Sequence, residues 1–172
     1  MKRWCVALVC TLFVCPAAAE ENPHVRTLDP SVARAYEAGY RDSPTFRALV
    51  AALQDSEVIV HVVSNIALPS GVSGTTRLVG SIGGSRYLRI DLASSLTYRA
   101  RVAVLGHELQ HACEIARSGA ASSRAVDALF RSIGKASPVA PDGFETLEAE
   151  TAGRLVIAEL FAGRSRARTT DD

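Results

Sequence analysis

Cysteine is nearly absent where it could matter. Of the four in this chain of 172 residues, Cys5, Cys10 and Cys15 fall in the first fifteen positions, leaving Cys113 alone in the remainder. One cysteine cannot form an internal disulfide, so the fold must hold by its core even in an oxidising compartment. An excess of one charge is missing too, with 19 Lys and Arg against 18 Asp and Glu. Such a balance gives no electrostatic case for binding nucleic acid. No apolar run is long enough to span a bilayer as an anchor, the longest being Trp4–Cys15. Internal repeats are absent, and 48% hydrophobic with 22% charged residues is a globular composition.

The short apolar run has its own meaning. In "MKRWCVALVCTLFVCPAAAE", Lys2 and Arg3 precede it, and Ala17–Ala19 fit an A-x-A cleavage site. A lipoprotein signal is a poor fit, because valine stands before both Cys10 and Cys15. Residues 1–19 therefore read as a signal peptide and 20–172 as one domain, exported to the periplasm or secreted. Removing Lys2 and Arg3 takes the 19 basic residues to 17 against 18 acidic ones, a net charge of −1. No stable membrane span is expected after cleavage.

Nucleotide motifs are lacking as well. "LPSGVSGTTRLVGSIGGSRYLRIDLAS" holds five glycines, but not at GxxxxGK[ST] or GxGxxG spacing. Gly83–Gly84 instead reads as a hairpin turn between strands Thr75–Val79 and Arg86–Leu92. "EVIVHVV" (Glu57–Val63), rich in β-branched residues, reads as a buried strand. Helices are expected at Ser31–Tyr40, Pro44–Leu53 (with Ser43 as N-cap), Leu96–Arg117, Ser122 or Ser123 to Ile133, and Phe144–Phe161. Glu20–Asp29 reads as irregular, "GKASPVAPDG" as a connection, and residues 163–172 as a frayed polar tail. The class is α+β, a single domain with a small antiparallel or mixed sheet.

What the chain does contain is "VLGHELQHACEIA", Val104–Ala116. On a helix His107 and His111 share one face about 6 Å apart along the axis, close enough to hold one metal ion. Glu108 lies beside them, able to reach water at that metal without being a ligand. That is the arrangement of metal-assisted hydrolysis with a carboxylate as general base. The plainer alternative is a buried helix whose histidines merely hydrogen-bond.

Two histidines are one ligand short of a catalytic zinc site. No histidine follows His111, and Cys113 is turned away around the helix as a small core residue. Glu114 shares the histidine face but would have a strained reach to the metal, which suits a role orienting His111 or an ion pair better. The last helix offers Glu145 at the head of the stripe Ala149, Ala152, Val156 and Leu160, where a carboxylate needs a partner. Glu145 ranks first as third ligand, Glu148 second and Glu114 third; an ordinary first-turn acid is the alternative for Glu145. His61, on a β-branched strand, reads as a packed or half-exposed histidine, and "RSRAR" as a solvated run.

"HELQH" followed downstream by a helical glutamate resembles the gluzincin branch of the HExxH metallopeptidases, including its minimal members. "LGHELQHA.EIA" with a later "(F/Y)ET..A…G..V..EL", matched here by Phe144, Glu145, Thr146, Ala149, Gly153, Val156, Glu159 and Leu160, is similar to small exported bacterial proteins. The resemblance implies a zincin-like fold whose C-terminal helix carries the third ligand, one zinc per chain, and a peptide or protein substrate. It also implies that the strand before the active-site helix, Arg86–Leu92, runs along the cleft, making Tyr87, Arg89 and Asp91 candidates for substrate contact. The chain lacks the downstream His or Tyr many gluzincins use for the tetrahedral intermediate, and it lacks NExxxD. Tyr98, Arg124, Arg131 and Arg154 are the candidates left for that task.

Overall fold

The structure is a computed structural model and describes residues 23–140 and 143–169. The signal-peptide segment lies outside the described residues, and among those described no helix is long and apolar enough to cross a membrane. The chain is α+β, as its pattern implies. Its elements in order are β1 (Val25–Arg26), α1 (Pro30–Asp42), α2 (Pro44–Gln54), β2 (Val58–Asn65), β3 (Gly74–Ile82), β4 (Ser85–Ala93), α3 (Tyr98–Ser118), α4 (Ser123–Ile133), β5 (Lys135–Ala136), β6 (Phe144–Glu145) and α5 (Leu147–Thr169).

Local chemistry fixes the boundaries. The Asp29 side chain accepts from the N–H groups of Ser31 and Val32, Ser43 from Phe46, and Ser122 from Ala125, each satisfying donors a helix start leaves unpaired. At Gly83 and Gly84, φ is +59° and +85°, and Ile82 pairs with Ser85. Two left-handed residues in a two-residue loop make the tight hairpin that glycine favours. The first unanticipated element is β1, a two-residue strand too short to carry a pattern and formed only because β2 offers a parallel edge.

The main sheet runs β1-β2-β4-β3, with β1, β2 and β4 parallel and β3 antiparallel on the edge. Its inner face presents Val58, Val60, Val62, Leu88, Ile90 and Leu92, all buried in one core with Leu105, Leu109 and Ile115 of α3. Arg86 is buried and clamps α3 to this sheet, donating to the carbonyls of Ile115, Ala116 and Ala120 and pairing with Glu57 at 2.7 Å. A cation at carbonyls left open by a helix C-terminus is well placed.

Three expectations change. The last helix begins at Leu147 rather than Phe144, because Thr146 caps it by accepting from Ala149 N–H at 3.1 Å. Phe144 and Glu145, expected to start that helix, instead form β6, paired with β5 (Lys135–Ala136), which lies inside the segment read as a connection. The backbone of α5 continues to Thr169, so the expected frayed tail is helical as far as that residue. The stripe Ala149, Ala152 and Val156 is nonetheless buried as its spacing requires.

Candidate metal centre

Helix α3 brings His107 and His111 onto one face, with ring centroids 4.8 Å apart. Glu145 approaches from β6, its Oε2 2.9 Å from His107 Nε2 and 4.0 Å from His111 Nε2. His107, His111 and Glu145 each offer one ligand atom, all within 4.8 Å of one another, and they form the one such group among the described residues. Two imidazole nitrogens and a carboxylate oxygen converging on a point can hold a metal ion.

The element that delivers Glu145 differs from expectation. It does not ride on the C-terminal helix; it sits in β6, paired with Lys135 two residues before α5 begins. The second choice, Glu148, lies in the first turn of α5, exposed and outside the group. Backbone pairing with β5 turns the chain so that residue 145, and not 148, faces α3.

Glu114 links the second histidine to the third ligand's segment. Its Oε2 is 2.9 Å from His111 Nδ1, while its Oε1 accepts from Thr146 Oγ1 at 2.8 Å and Gln110 Nε2 at 3.3 Å. The bond at Nδ1 leaves His111 Nε2 directed at the centre. Thr146, the cap of α5, is the residue after Glu145. Phe130 of α4 closes the other side of the ring, edge-on at 5.2 Å.

The charges follow from these contacts. Hydrogen bonds from His107 and His111 hold the Glu145 carboxyl down to about 2. Burial opposes a charge on His111, but its bonds to Glu114 and Glu145 outweigh that and raise it to about 9. Burial pushes Glu108 above the usual carboxylate range, against the pull of His111, His107 and the Thr76 hydroxyl. Burial also raises the Glu114 carboxyl, but its bonds to His111 and Thr146 prevail and leave it below its usual value.

Glu108 stands beside the triad without belonging to it. Sequence reasoning missed its partner, Thr76, which donates to Glu108 Oε2 at 2.7 Å from the edge strand β3. Nothing in the local pattern of β3 singles out Thr76, since the contact joins residues 32 apart. The strand can come this close only because residue 74 is glycine: a Cβ there would lie 2.6 Å from Glu108 Oε1 and 2.8 Å from Val104 Cγ1.

The centre lies between two lobes of a cleft, with Glu108, Glu145, Gly74 and Ala140 lining both. The lobe on the His111 side is walled by Leu78, Val126, Phe130 and Phe144, with Arg77 and Asp127 also lining it. The lobe on the His107 side has Val72, Val104, Val139 and Ile157, with Glu150 and Arg154 among its polar residues.

The strand along this cleft is β3, and the expectation that Arg86–Leu92 would serve is corrected. β4 is paired on both sides, with β2 and β3, so it has no free edge for a substrate. Tyr87, Arg89 and Asp91 alternate with the buried Leu88, Ile90 and Leu92 and so face the sheet's other side. Of the residues considered for transition-state stabilisation, only Arg154 lines the cleft, paired with Glu150 at 3.4 Å. Arg124 and Arg131 are exposed on α4, and Tyr98 starts α3 with its hydroxyl on Arg34 O at 3.4 Å. Cys113 is buried and points at Leu49 O at 3.6 Å, and His61 is exposed on β2.

A two-histidine, one-carboxylate metal centre with a neighbouring buried carboxylate thus defines the candidate class. The chain matches no protein-family model, no curated protein and no solved structure.

Proposed function

We propose that the protein is a zinc-dependent metallopeptidase of gluzincin type, with His107, His111 and Glu145 as ligands and Glu108 as general base. The observation that carries this reading is the position of Glu108, buried against the triad, excluded from it and held by Thr76 where the two cleft lobes meet. The donor set suits zinc, which favours nitrogen and carboxylate oxygen with a position left open for water. When bound, zinc supplies the Lewis acidity that brings the pKa of water towards neutrality and polarises a carbonyl.

The residues of the chain do the rest. Glu108 as the carboxylate takes the proton from the attacking water and passes it to the leaving amine, and burial, by raising its proton affinity, favours the first transfer. The free edge of β3 takes an extended peptide by strand addition, and the two lobes receive side chains on either side of the scissile bond. Export, read from residues 1–19, belongs to the same proposal and would present the site to extracytoplasmic protein substrates.

Purified protein is expected to carry about one zinc and to cleave a quenched-peptide library, with Glu108→Gln lowering the rate by at least ~100-fold at unchanged metal content. Zinc retained by the double variant His107→Ala, His111→Ala would refute the reading. A second reading, a metal-stabilised binding protein without turnover, is favoured by the lack of any His or Tyr after residue 111. Full zinc occupancy with no cleavage in the library would decide for it.

A further inference from the structure

The sheet has a second face, and the strand register gives it an unusual composition. Cross-strand partners share a face. Arg26 is the partner of His61, His61 of Arg89, and Arg89 of Arg77. One row of four basic side chains therefore crosses all four strands, about 14 Å from end to end at the usual ~4.8 Å spacing. The adjacent row on the inner face is Val25, Val60, Leu88 and Leu78, every member buried.

The basic row is under-neutralised. Asp91 is the only acid on the four strands. It binds Arg89 at 2.8 Å and reaches Arg77 at 3.7 Å, while the Arg77 and Arg89 side chains stay 59% and 41% exposed. Arg77 and Arg89 are direct partners, and like charges placed opposite one another weaken a sheet. Asp91 offsets part of that repulsion, and an anionic surface would offset the rest.

Two exposed aliphatic residues follow the ends of β1 and β2. Leu28 and Ile66 are 102% and 90% exposed, the highest values among the large hydrophobics of the described residues. Leu28 follows β1 by two residues and Ile66 follows β2 by one. The Asp29 carboxylate accepts from the Ser64 backbone, which brings the two strand ends together at one corner of the sheet.

We propose that this face docks peripherally on an anionic phospholipid bilayer, the basic row lying over headgroup phosphates and Leu28 and Ile66 entering the acyl boundary. Bilayer surfaces attract clustered basic residues, and exposed aliphatic side chains add burial that a neutral or hydrated partner does not provide. A soluble linear polyanion would suit the row but leave Leu28 and Ile66 in water, so the bilayer accounts for more of the surface.

Vesicle co-sedimentation tests this with the chain from Glu20, using phosphatidylglycerol and phosphatidylcholine in equal parts, or phosphatidylcholine alone. The wild type is expected on the anionic vesicles only, and to be released when salt shortens the screening length to about 4 Å. Arg26→Gln with Arg77→Gln should weaken partitioning about 25-fold, at about fivefold per arginine. Leu28→Ser with Ile66→Ser should weaken it at least about 100-fold at unchanged salt dependence. Equal binding to neutral vesicles, no vesicle binding by the wild type, or an arginine double variant that binds like the wild type would each overturn the proposal. Salt-sensitive retention on heparin without vesicle binding would overturn it in favour of a soluble polyanion.

Discussion

Glu114 commits both carboxylate oxygens to the site, one to His111 and one to Thr146. Partners of this kind tune metal affinity by orienting the ligand, so Glu114→Ala should weaken zinc about 10- to 100-fold in chelator competition. Thr146→Val should act in the same direction, and Thr146→Ser should restore affinity because the hydroxyl is retained. Glu145→Ala should lose the metal while Glu148→Ala keeps it, and equal retention by both would refute the choice of Glu145. Burial raises the Cys113 thiol to about 11, so it should resist a thiol reagent at neutral pH in the native protein and react once the chain unfolds. At this scale the sequence was informative where residues lie within one helix. His107, Glu108 and His111 are fixed by a four-residue spacing, and Glu114 needs one more turn. Thr76 was invisible because its role depends on a strand arriving from elsewhere.

The elements show why the remaining site residues were harder to read. Alternation along Arg86–Leu92 correctly marks a half-buried strand, but alternation is blind to whether neighbours pair on both sides. Only the order β1-β2-β4-β3 makes β3 the edge and β4 interior. Similarly, the stripe from Ala149 to Val156 marks helix α5, while Glu145 was counted into it because the spacing still fitted. The capping chemistry of Thr146 was the available signal that the helix starts later. β5 and β6, of two residues each, are too short for any periodicity to appear. Gly74 tests the junction of edge strand β3 and helix α3. Gly74→Ala should cost about 1–3 kcal/mol in denaturant unfolding, since its Cβ would meet Val104 and Glu108. It should also reduce hydrolysis more than zinc content, because β3 must move away from Glu108 and not from the ligands.

For the whole molecule, the candidate metal centre joins pieces that are distant in sequence. His107 and His111 belong to α3, and Glu145 to the strand β6 that leads into α5, so an ion held there would crosslink them. Zinc at 100 times its dissociation constant should add about 2.7 kcal/mol to stability. In a domain of this size that corresponds to a melting temperature roughly 5–10 °C higher. A chelator titration followed by circular dichroism measures it, and a melting temperature indifferent to zinc would count against a metal bound only by the folded state. The sequence by itself determined the α+β class, the hairpin at Gly83–Gly84, the Ser43 cap, the two histidines and their glutamate. These depend on interactions within a turn or two of chain, where residue identity and spacing suffice. Tertiary structure alone decided that β3 rather than β4 borders the cleft, that Thr76 holds Glu108, and that Glu145 arrives on a strand. It also decided that Arg26, His61, Arg89 and Arg77 line up. Each of these depends on register between segments far apart in the chain, and register is set by which apolar faces bury against each other.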